Sequence, residues 1–480
     1  MKKIILIFVL LIIFISCKNN GLIYENSFII ENVNLIDPIQ GLKKNMSIII
    51  NGNKIIEIYK TDSIKLSSKN KIYRFAGKYL IPGLWDSHVH FSYERDLSKA
   101  MPNLFLAHGI TSVRDTGGEF DFVNKFKQDA IQDPKTKTRV MIAGPLIDGK
   151  FNVYDGSSKA LPLLSIKNNN LEQLEKNALH LIENKVDFLK AYEMLSPEQF
   201  KLLAEIAKKN NLKLTGHVPL SMNVIEASNM GLSSIEHLRN IELSMTNESD
   251  KLFQERQDIL KNKLNIKGSA LRSMLHKKQR MRSIYDLDSS KIKSVVEVLV
   301  KNDTWQIPTM RLVSNKAYKI YKDPEYTPLL EVLPLDKKKE WIQKINLISS
   351  APDKEIIDYA KWSSNMVNFM QKRGISFMAG TDTPIGFLIP GLSLHQELED
   401  LHNSGLSTLE TIQTATINPA KYFNIQDSLG RIKSGFIADL LVLDNNPLED
   451  ISNTKSILAV IKDGYYMNRA HLDSLLSLNK

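Results

Sequence analysis

The chain has 480 residues, of which 43% are hydrophobic and 24% charged. This is ordinary globular composition, and the length suffices for one large domain and a small one. The formal net charge is +10, but the lysines are scattered among Glu and Asp, and no nucleic-acid motif accompanies them, so nucleic acid is not expected as a partner. A single cysteine excludes structural disulfides within the chain.

The N-terminus has the pattern of a targeting segment. Two lysines precede an apolar run over residues 4–15, which is too short to span a bilayer comfortably and is typical of a signal peptide. The segment Phe14-Ile15-Ser16-Cys17 resembles a bacterial lipobox, although Phe14 and Ile15 depart from its commonest residues. The resemblance implies a signal peptide over 1–17, a lipid on Cys17, and a membrane-anchored lipoprotein of the cell envelope that faces the periplasm. The alternative is an ordinary cleaved signal with an incidental cysteine.

Both ends of the chain are rich in β-forming residues. The runs 28–35 and 46–59 are broken by turn residues, and Asn51-Gly52 between apolar residues is a strong hairpin signal. Near the C-terminus, 440–443 and 457–461 have the same texture. Neither end has enough strands for a core of its own. We therefore predict that 18–82 and 429–480 pair into one small composite β-sandwich domain.

The middle of the chain, 83–428, alternates short apolar runs with helical patterns, which predicts an α/β fold with a parallel sheet and crossover helices. One helix is sharply marked, with Ser196 as N-cap, Pro197 at its first position, and an end at Asn210. Eight strands predict a distorted (β/α)8 TIM barrel, in which active sites lie at the C-terminal strand ends. The predicted strands are one ending at His90, then 109–115, 139–144, 186–192, 212–217, 231–237, 304–310 and 375–382.

Two charged, helix-patterned insertions follow the sixth and seventh predicted strands, at about 240–301 and 311–375. Either insertion could be a lid over the site, and surface elaboration or a dimer contact is an equally good interpretation. Because the first insertion leaves from the C-terminal end of a strand, we predict that it borders the mouth of the active site.

Polar residues cluster at the predicted strand ends. Strand side chains alternate, so His88 and His90 lie on one face and can bind one metal ion. Alone, such a pair is more often structural. A lysine inside a strand, as at position 190, is costly unless it is paired or chemically altered. The joint pattern predicts a metal site, because further candidates close later strands: Lys190, His217, His237 and Asp382.

At these residues the chain resembles the amidohydrolase superfamily, and in particular its imidazolonepropionase-like and prolidase-like branches. The resemblance implies a distorted barrel with a composite β domain and two divalent metal ions, expected to be Zn²⁺. It further implies that Lys190 is carboxylated by CO2 and bridges the two metals. His88, His90 and Asp382 would bind one metal, and His217 and His237 the other. The segments that carry the resemblance are 82–90, 109–115, 216–219, 379–382, 415–420 and 435–440.

The chemistry implied by the resemblance is hydrolysis of an amide or peptide bond, as in a prolidase or dipeptidase. A hydroxide that bridges the metals would attack, with Asp382 as general base and acid. Tyr192 is a candidate substrate-binding residue that could donate to the developing oxyanion, and a packing aromatic is the alternative. His395 is not expected to be a ligand, and Arg114 and Asp115 are expected to be structural.

Two other functions stay open at this point. The same site could hydrolyse cyclic amides, lactones or esters, or the chain could be a non-catalytic binding lipoprotein. We expect a small-molecule or short-peptide substrate, and a homo-oligomer is left open.

Overall fold

The structure is a computed structural model that describes residues 22–262 and 266–478. The predicted signal peptide and Cys17 lie outside the described residues and stay predictions. Within the described part of the chain, no helix combines the length and apolar character needed to cross a bilayer.

The strands are numbered here along the chain. The described residues form β1 (Ser27–Asp37), β2 (Gly41–Asn51), β3 (Lys54–Lys60), β4 (Lys71–Arg74), β5 (Tyr79–Pro82), β6 (Leu84–Val89), β7 (Ile110–Asp115), β8 (Arg139–Ile142), β9 (Leu146–Asp148), β10 (Asp155–Ser158), β11 (Leu161–Leu163), β12 (Ser165–Lys167), β13 (Phe188–Ala191), β14 (Lys213–Gly216), β15 (Leu232–Glu236), β16 (Trp305–Ile307), β17 (Leu440–Leu443), β18 (Ile457–Lys462) and β19 (Tyr465–Asn468).

The helices are numbered in the same way. They are α1 (Arg95–Ser98), α2 (Met101–Ala107), α3 (Phe120–Gln132), α4 (Leu171–Glu183), α5 (Pro197–Lys209), α6 (Val224–Asn229), α7 (Ser249–Asn262), α8 (Gly268–Tyr285), α9 (Ser289–Lys301), α10 (Met310–Tyr318), α11 (Tyr326–Leu329), α12 (Leu335–Leu347), α13 (Lys354–Gln371), α14 (Leu392–Asn403), α15 (Thr408–Thr414), α16 (Ile417–Tyr422) and α17 (Arg469–Ser477). Short 3₁₀ turns cover Thr61–Ser63, Glu242–Met245, Ile320–Lys322, Leu330–Val332, Ile385–Phe387 and Ile451–Lys455.

Strands from both chain ends form one eight-stranded sheet in the order β19-β18-β17-β5-β1-β2-β3, with β4 beside β1. The join is β5, which runs parallel to β1 and antiparallel to β17. The predicted hairpin between β2 and β3 is present, and Gly52 has the positive φ, 53°, that its turn requires. These strands belong to a single sheet by their hydrogen bonding, whereas we predicted a sandwich.

The middle of the chain contains two parallel sheets, as predicted for an α/β fold. Their orders are β6-β7-β8 and β12-β9-β13-β14-β15-β16. Helices follow β6, β7, β12, β13, β14 and β15, whereas β8 to β12 follow one another without a helix. The main-chain N–H of Asp187 donates to Ile142 O at 2.8 Å, which brings the end of β8 beside the start of β13. The short strands β9 to β12, between the third and fourth predicted strands, were not predicted.

The prediction of an eighth strand over 375–382 is wrong, because this segment does not form a regular strand. The segment forms main-chain hydrogen bonds to β6 and β16, but its strand pairing is limited to two isolated bridges, Gln306↔Phe377 to β16 and Val89↔Thr383 to β6. A Cβ on Gly380 would stand 2.8 Å from the Cβ of His88, so the segment approaches β6 too closely for a normal ladder. Asp382 adds a positive φ of 69°, which ends an extended backbone. The segment lies between β6 and β16, but a closed eight-stranded barrel is not confirmed.

The marked helix is confirmed as α5. Ser196 accepts a hydrogen bond from the N–H of Gln199, and the side chain of Gln199 accepts one from the N–H of Ser196, a reciprocal capping box. The two insertions are helical as predicted. The first contains α7 to α9, and the second contains most of α10 together with α11 to α13.

Candidate metal centre

Three buried donor atoms converge where β6 ends. The Nε2 atoms of His88 and His90 each lie 3.1 Å from Oδ1 of Asp382. The strand alternation of β6 places both imidazoles on one side, and the N–H of Asp382 donates to His88 O at 2.7 Å, which fixes the aspartate beside them. The ligand atoms of the three residues lie within 4.8 Å of one another. This set can hold one metal ion.

Two further imidazoles adjoin this set. The ring of His237 lies 4.8 Å from that of His88 and 5.0 Å from that of His217, measured between centroids. The Nε2 atom of His237 is 3.9 Å from Oδ2 of Asp382, so the carboxylate stands between the two pairs of histidines. The geometry thus brings together four imidazoles and one carboxylate from different strand ends.

In three of the imidazoles, Nδ1 lies within hydrogen-bond distance of an acceptor. Nδ1 of His90 lies 3.0 Å from Gly117 O, and Nδ1 of His217 lies 2.6 Å from Oε1 of Glu193. Nδ1 of His237 lies 2.7 Å from the hydroxyl of Thr309. Acceptors at Nδ1 leave each Nε2 free to ligate a metal, which is the usual arrangement of metal-binding histidines.

The electrostatics of the cluster keep most of the imidazoles neutral. Burial, followed by nearby cations and imidazoles, holds the pKa values of His88, His217 and His237 well below their usual range. Burial also acts to lower the pKa of His90, but Asp382, Asp115 and the carbonyl of Gly117 together outweigh it, and the net shift is upward. Neutral imidazoles are the form that binds metals.

Lys190 is buried and forms an ion pair with Glu236. Oε1 of the same glutamate accepts hydrogen bonds from Arg114 at 3.0 Å and from Thr215 at 2.6 Å. Burial lowers the pKa of Lys190, although Glu236 acts in the opposite direction. Of the two ways to accommodate a strand lysine, the structure shows pairing, and carboxylation stays a prediction.

The residues expected to be structural make structural contacts. Arg114 donates through Nε to Ser87 O at 2.6 Å, in addition to its contact with Glu236. Asp115 accepts from the N–H of Phe91 at 2.8 Å. His395 lies on α14, between the carbonyl of His108 and the hydroxyl of Thr454. None of the three lines the cavity described next.

A cavity of about 120 Å³ opens in front of the imidazoles. Tyr192 lies on its wall, with its ring centroid 4.6 Å from that of His217 and its hydroxyl accepting from Arg272 at 3.2 Å. The cavity is lined by all seven predicted site residues, His88, His90, Lys190, Tyr192, His217, His237 and Asp382, and by Leu146, Tyr154, Leu164, Arg239, Arg272, Leu312 and Ile385.

Several residues of the site were missed by sequence reasoning. Glu193 directly follows Tyr192, and Glu236 directly precedes His237. An acid next to a predicted site residue is a signal that could have been used. Arg239 stands two residues after His237 and could have been found in the same way. Arg272 comes from α8 in the first insertion, as the prediction that this insertion borders the mouth requires, but no local pattern marks it.

Comparison with known proteins gives partial matches. Residues 347–466, well under half of the chain, match a model of the amidohydrolase family. The chain is 26% identical over 207 residues to an adenine deaminase of Clostridium perfringens, which covers 40% of this chain and 33% of that protein. It is 35% identical over 98 residues to an ochratoxinase of Aspergillus niger, which covers 19% of each. The matches therefore span a third or less of the length of these curated relatives.

The fold matches over a much larger share. A crystal structure of a Xaa-Pro dipeptidase with bound methionine superposes with a TM-score of 0.67 at 20% identity, covering 92% of this chain and 100% of that one. This likeness shows a shared mixed α/β fold. Together with the family match over 347–466, which includes Asp382, it supports an amidohydrolase relationship.

Proposed function

We propose that this protein is a binuclear metal-dependent hydrolase of carbon–nitrogen bonds of the amide or peptide type. The single observation that carries the proposal is the convergence of buried Nε2 and carboxylate donors at β6, the ends of β14 and β15, and Asp382. The family match and the enzymes among the similar proteins support a hydrolase of carbon–nitrogen bonds. We also propose that β6, β7, β8, β13, β14, β15, β16 and residues 375–382 together form the eight-stranded barrel.

The donor atoms of His88, His90 and Asp382 fit one divalent cation, and we propose a second cation beside it. Oδ1 of Asp382 is buried and accepts no hydrogen bond from the described residues, and a buried carboxylate oxygen without a donor is expected where a cation binds. His88, His90 and Asp382 would hold one metal, and His217 and His237 the other. A carboxylated Lys190 would supply one oxygen to each, and imidazole with carboxylate suits Zn²⁺.

When bound, the metals would acidify a water molecule and polarise the scissile carbonyl. The residues of the chain itself transfer protons and donate hydrogen bonds during the reaction. Asp382 would accept a proton from the attacking water and pass it to the leaving nitrogen. The hydroxyl of Tyr192 accepts from Arg272, so its own hydrogen is free to donate to the developing oxyanion.

The proposal is tested at Lys190. In Lys190→Ala, we expect both metals to bind weakly and kcat to fall by more than about 100-fold, because this variant loses a ligand and not just an outer partner. Lys190→Glu restores a carboxylate with a shorter reach, so it should retain more metal and little activity. The measurement is a metal count and kcat on a panel of dipeptides, N-acyl amino acids and cyclic amides.

The matched control is Lys462→Ala, because Lys462 is also a buried strand lysine that faces a carboxylate, Asp439 at 3.4 Å, but in the β18 sheet. This variant should keep two metals per chain. Full activity with two metals in Lys190→Ala would show that Lys190 is an ordinary paired lysine and that the two-metal proposal is wrong.

A further inference from the structure

Arg272 is a cation in the cavity with uncharged partners. It reaches the cavity from α8, donates to the hydroxyl of Tyr192 at 3.2 Å, and its guanidinium carbon lies 5.5 Å from the ring centroid of Tyr154. Among the ion pairs formed within 22–262 and 266–478, none includes Arg272. A guanidinium on a cavity wall without a carboxylate partner is free to bind an anion from outside.

Arg239 is a second cation on the same wall. Its NH1 lies 3.4 Å from Oε1 of Glu193, but its Nε is buried and has no hydrogen-bond partner among the described residues. Glu193 also accepts from His217, and it is fully buried behind that ring. The positive charges of Arg239 and Arg272 are therefore offset by the same carboxylate, Glu193, which is buried and which a ligand cannot reach.

A larger cavity of about 660 Å³ adjoins the first and shares its walls at His237, Arg239, Leu312 and Ile385. Apolar and aromatic side chains cover much of it: Met281, Val313, Tyr321, Ile356, Tyr359 and Phe387. Its size and lining fit a bulky apolar group of a substrate whose scissile bond lies beside the imidazoles.

The charges around the larger cavity are mostly positive. Arg280 and Lys316 line it together with Arg239, and the pKa of Lys316 is lowered, first by burial and then by these two arginines. Arg280 lies 3.4 Å from the buried Glu242, which offsets part of this charge. The acid that lines the cavity, Glu355, is exposed at its rim. A substrate ammonium placed inside would meet cations, and no buried acid is among the residues that line this cavity.

We propose that the substrate is an N-acyl amino acid or an N-blocked peptide of the same chemistry, and this rests on the proposed function. Its carboxylate binds Arg272 and Arg239, and its uncharged apolar acyl part occupies the larger cavity. Hydrolysis breaks the C–N bond. The acyl carbon gains the hydroxyl of water, and the nitrogen gains its proton, so that the products are a carboxylic acid and an amino acid. A dipeptide with a free N-terminal ammonium is a poorer substrate.

The experiment uses three compounds, of which the second and the third each differ from the first by one charged group. N-acetylphenylalanylglycine has the carboxylate and no ammonium, phenylalanylglycine adds the ammonium, and N-acetylphenylalanine methylamide lacks the carboxylate. We expect kcat/KM for the first to exceed that for each of the others at least about 10-fold, since hydrogen bonds to charged groups have that order of effect.

Arg272→Met should remove the preference for the carboxylate, lowering the ratio of kcat/KM for N-acetylphenylalanylglycine to kcat/KM for the methylamide about 10- to 100-fold. Arg272→Lys should retain part of the preference as a point charge. The control is Arg282→Met, on the same helix, where the arginine pairs with Glu248 and Glu255 at the surface. This variant should keep the full preference.

Calorimetric binding of the same three ligands separates the two proposals. Hydrolysis of all three at equal rates, or a carboxylate preference that survives in Arg272→Met, overturns the substrate assignment and leaves the hydrolase proposal standing. Preference for the free dipeptide overturns the N-blocked assignment. Arg272-dependent binding of N-acetylphenylalanylglycine without hydrolysis of any ligand supports the binding assignment and overturns the hydrolase proposal.

Discussion

The contact between Glu193 and His217 gives the sharpest prediction about the metal centre. Oε1 of Glu193 lies 2.6 Å from Nδ1 of His217, and both residues are buried. The contact selects the tautomer that directs Nε2 of His217 towards the other imidazoles. Glu193→Gln keeps the size and one acceptor oxygen, but it removes the negative charge that makes the imidazole a stronger ligand.

The structure bounds the size of this effect. Loss of an outer partner of a metal-binding histidine costs 10- to 100-fold in metal affinity, or about 1.4 to 2.7 kcal/mol. Glu193 also faces Arg239 at 3.4 Å and His276 at 3.5 Å. Because the variant would leave the Arg239 guanidinium near a metal without an offsetting charge, we expect a loss in the upper half of that range for the metal bound by His217 and His237.

The assay is competition for Zn²⁺ against a chromophoric chelator, with wild type and variant prepared alike. Glu198→Gln is the matched control, since Glu198 is exposed on α5 and its side chain accepts from Ser196. That control should bind metal like the wild type. Wild-type affinity at both metals in Glu193→Gln would refute the claim that this carboxylate orients and strengthens His217.

Two further predictions concern stability. Arg114→Met breaks a buried ion pair with Glu236, so urea unfolding should show a loss of about 3–5 kcal/mol, and a loss under about 1 kcal/mol would contradict the assigned role. Burial lowers the pKa of His395 from 6.5 to about 3, so the stability that its neutral form contributes is complete above pH 6.5 and is lost as the pH falls towards 3. Between pH 7 and pH 5 the wild type should therefore lose about 2 kcal/mol more than His395→Gln, and parallel losses in the two proteins would show that the imidazole is not held neutral.

The set of residues around the cavity could be anticipated because it depends on two short-range regularities. Alternation along β6 puts His88 and His90 on one side. Parallel strands bring their C-terminal ends to one edge, so His217 after β14 and His237 after β15 had to approach them. Both arguments use only the spacing of neighbouring residues and the direction of the strands, which can be inferred from the sequence.

The eighth strand could not be predicted correctly because its course depends on a contact between distant parts of the chain. The close approach of Gly380 to His88 and the positive φ of Asp382 become visible only when the two segments lie side by side. The three-residue strands β9, β11 and β12 are too short to show an alternating pattern, and the equally short β16 was recognised only as part of the longer run 304–310.

Charge partners were the least predictable part of the site. A lysine at 190 required a partner or a modification, but the identity of Glu236 follows from the registers of β13, β14 and β15 and not from spacing. Arg272 is harder still, because it enters from a helix 80 residues beyond Tyr192, the residue to which it donates. The alternation rule that fixes the direction of side chains in a strand does not apply to helical insertions of this kind.

The origins of these groups in the chain imply a division of roles. The candidate metal ligands come from β6, β13, the ends of β14 and β15, and Asp382, and two carboxylates, Glu193 and Glu236, link parts of that set to buried cations. Arg272 belongs to α8 and donates a hydrogen bond to Tyr192, which is not a candidate metal ligand. Because the strands fix the donors and the insertion supplies this guanidinium, sequence changes in α8 can alter the charge that a substrate meets while the donors stay in place. Under the proposed function, hydrolytic chemistry and substrate choice would therefore reside in separable parts of the fold.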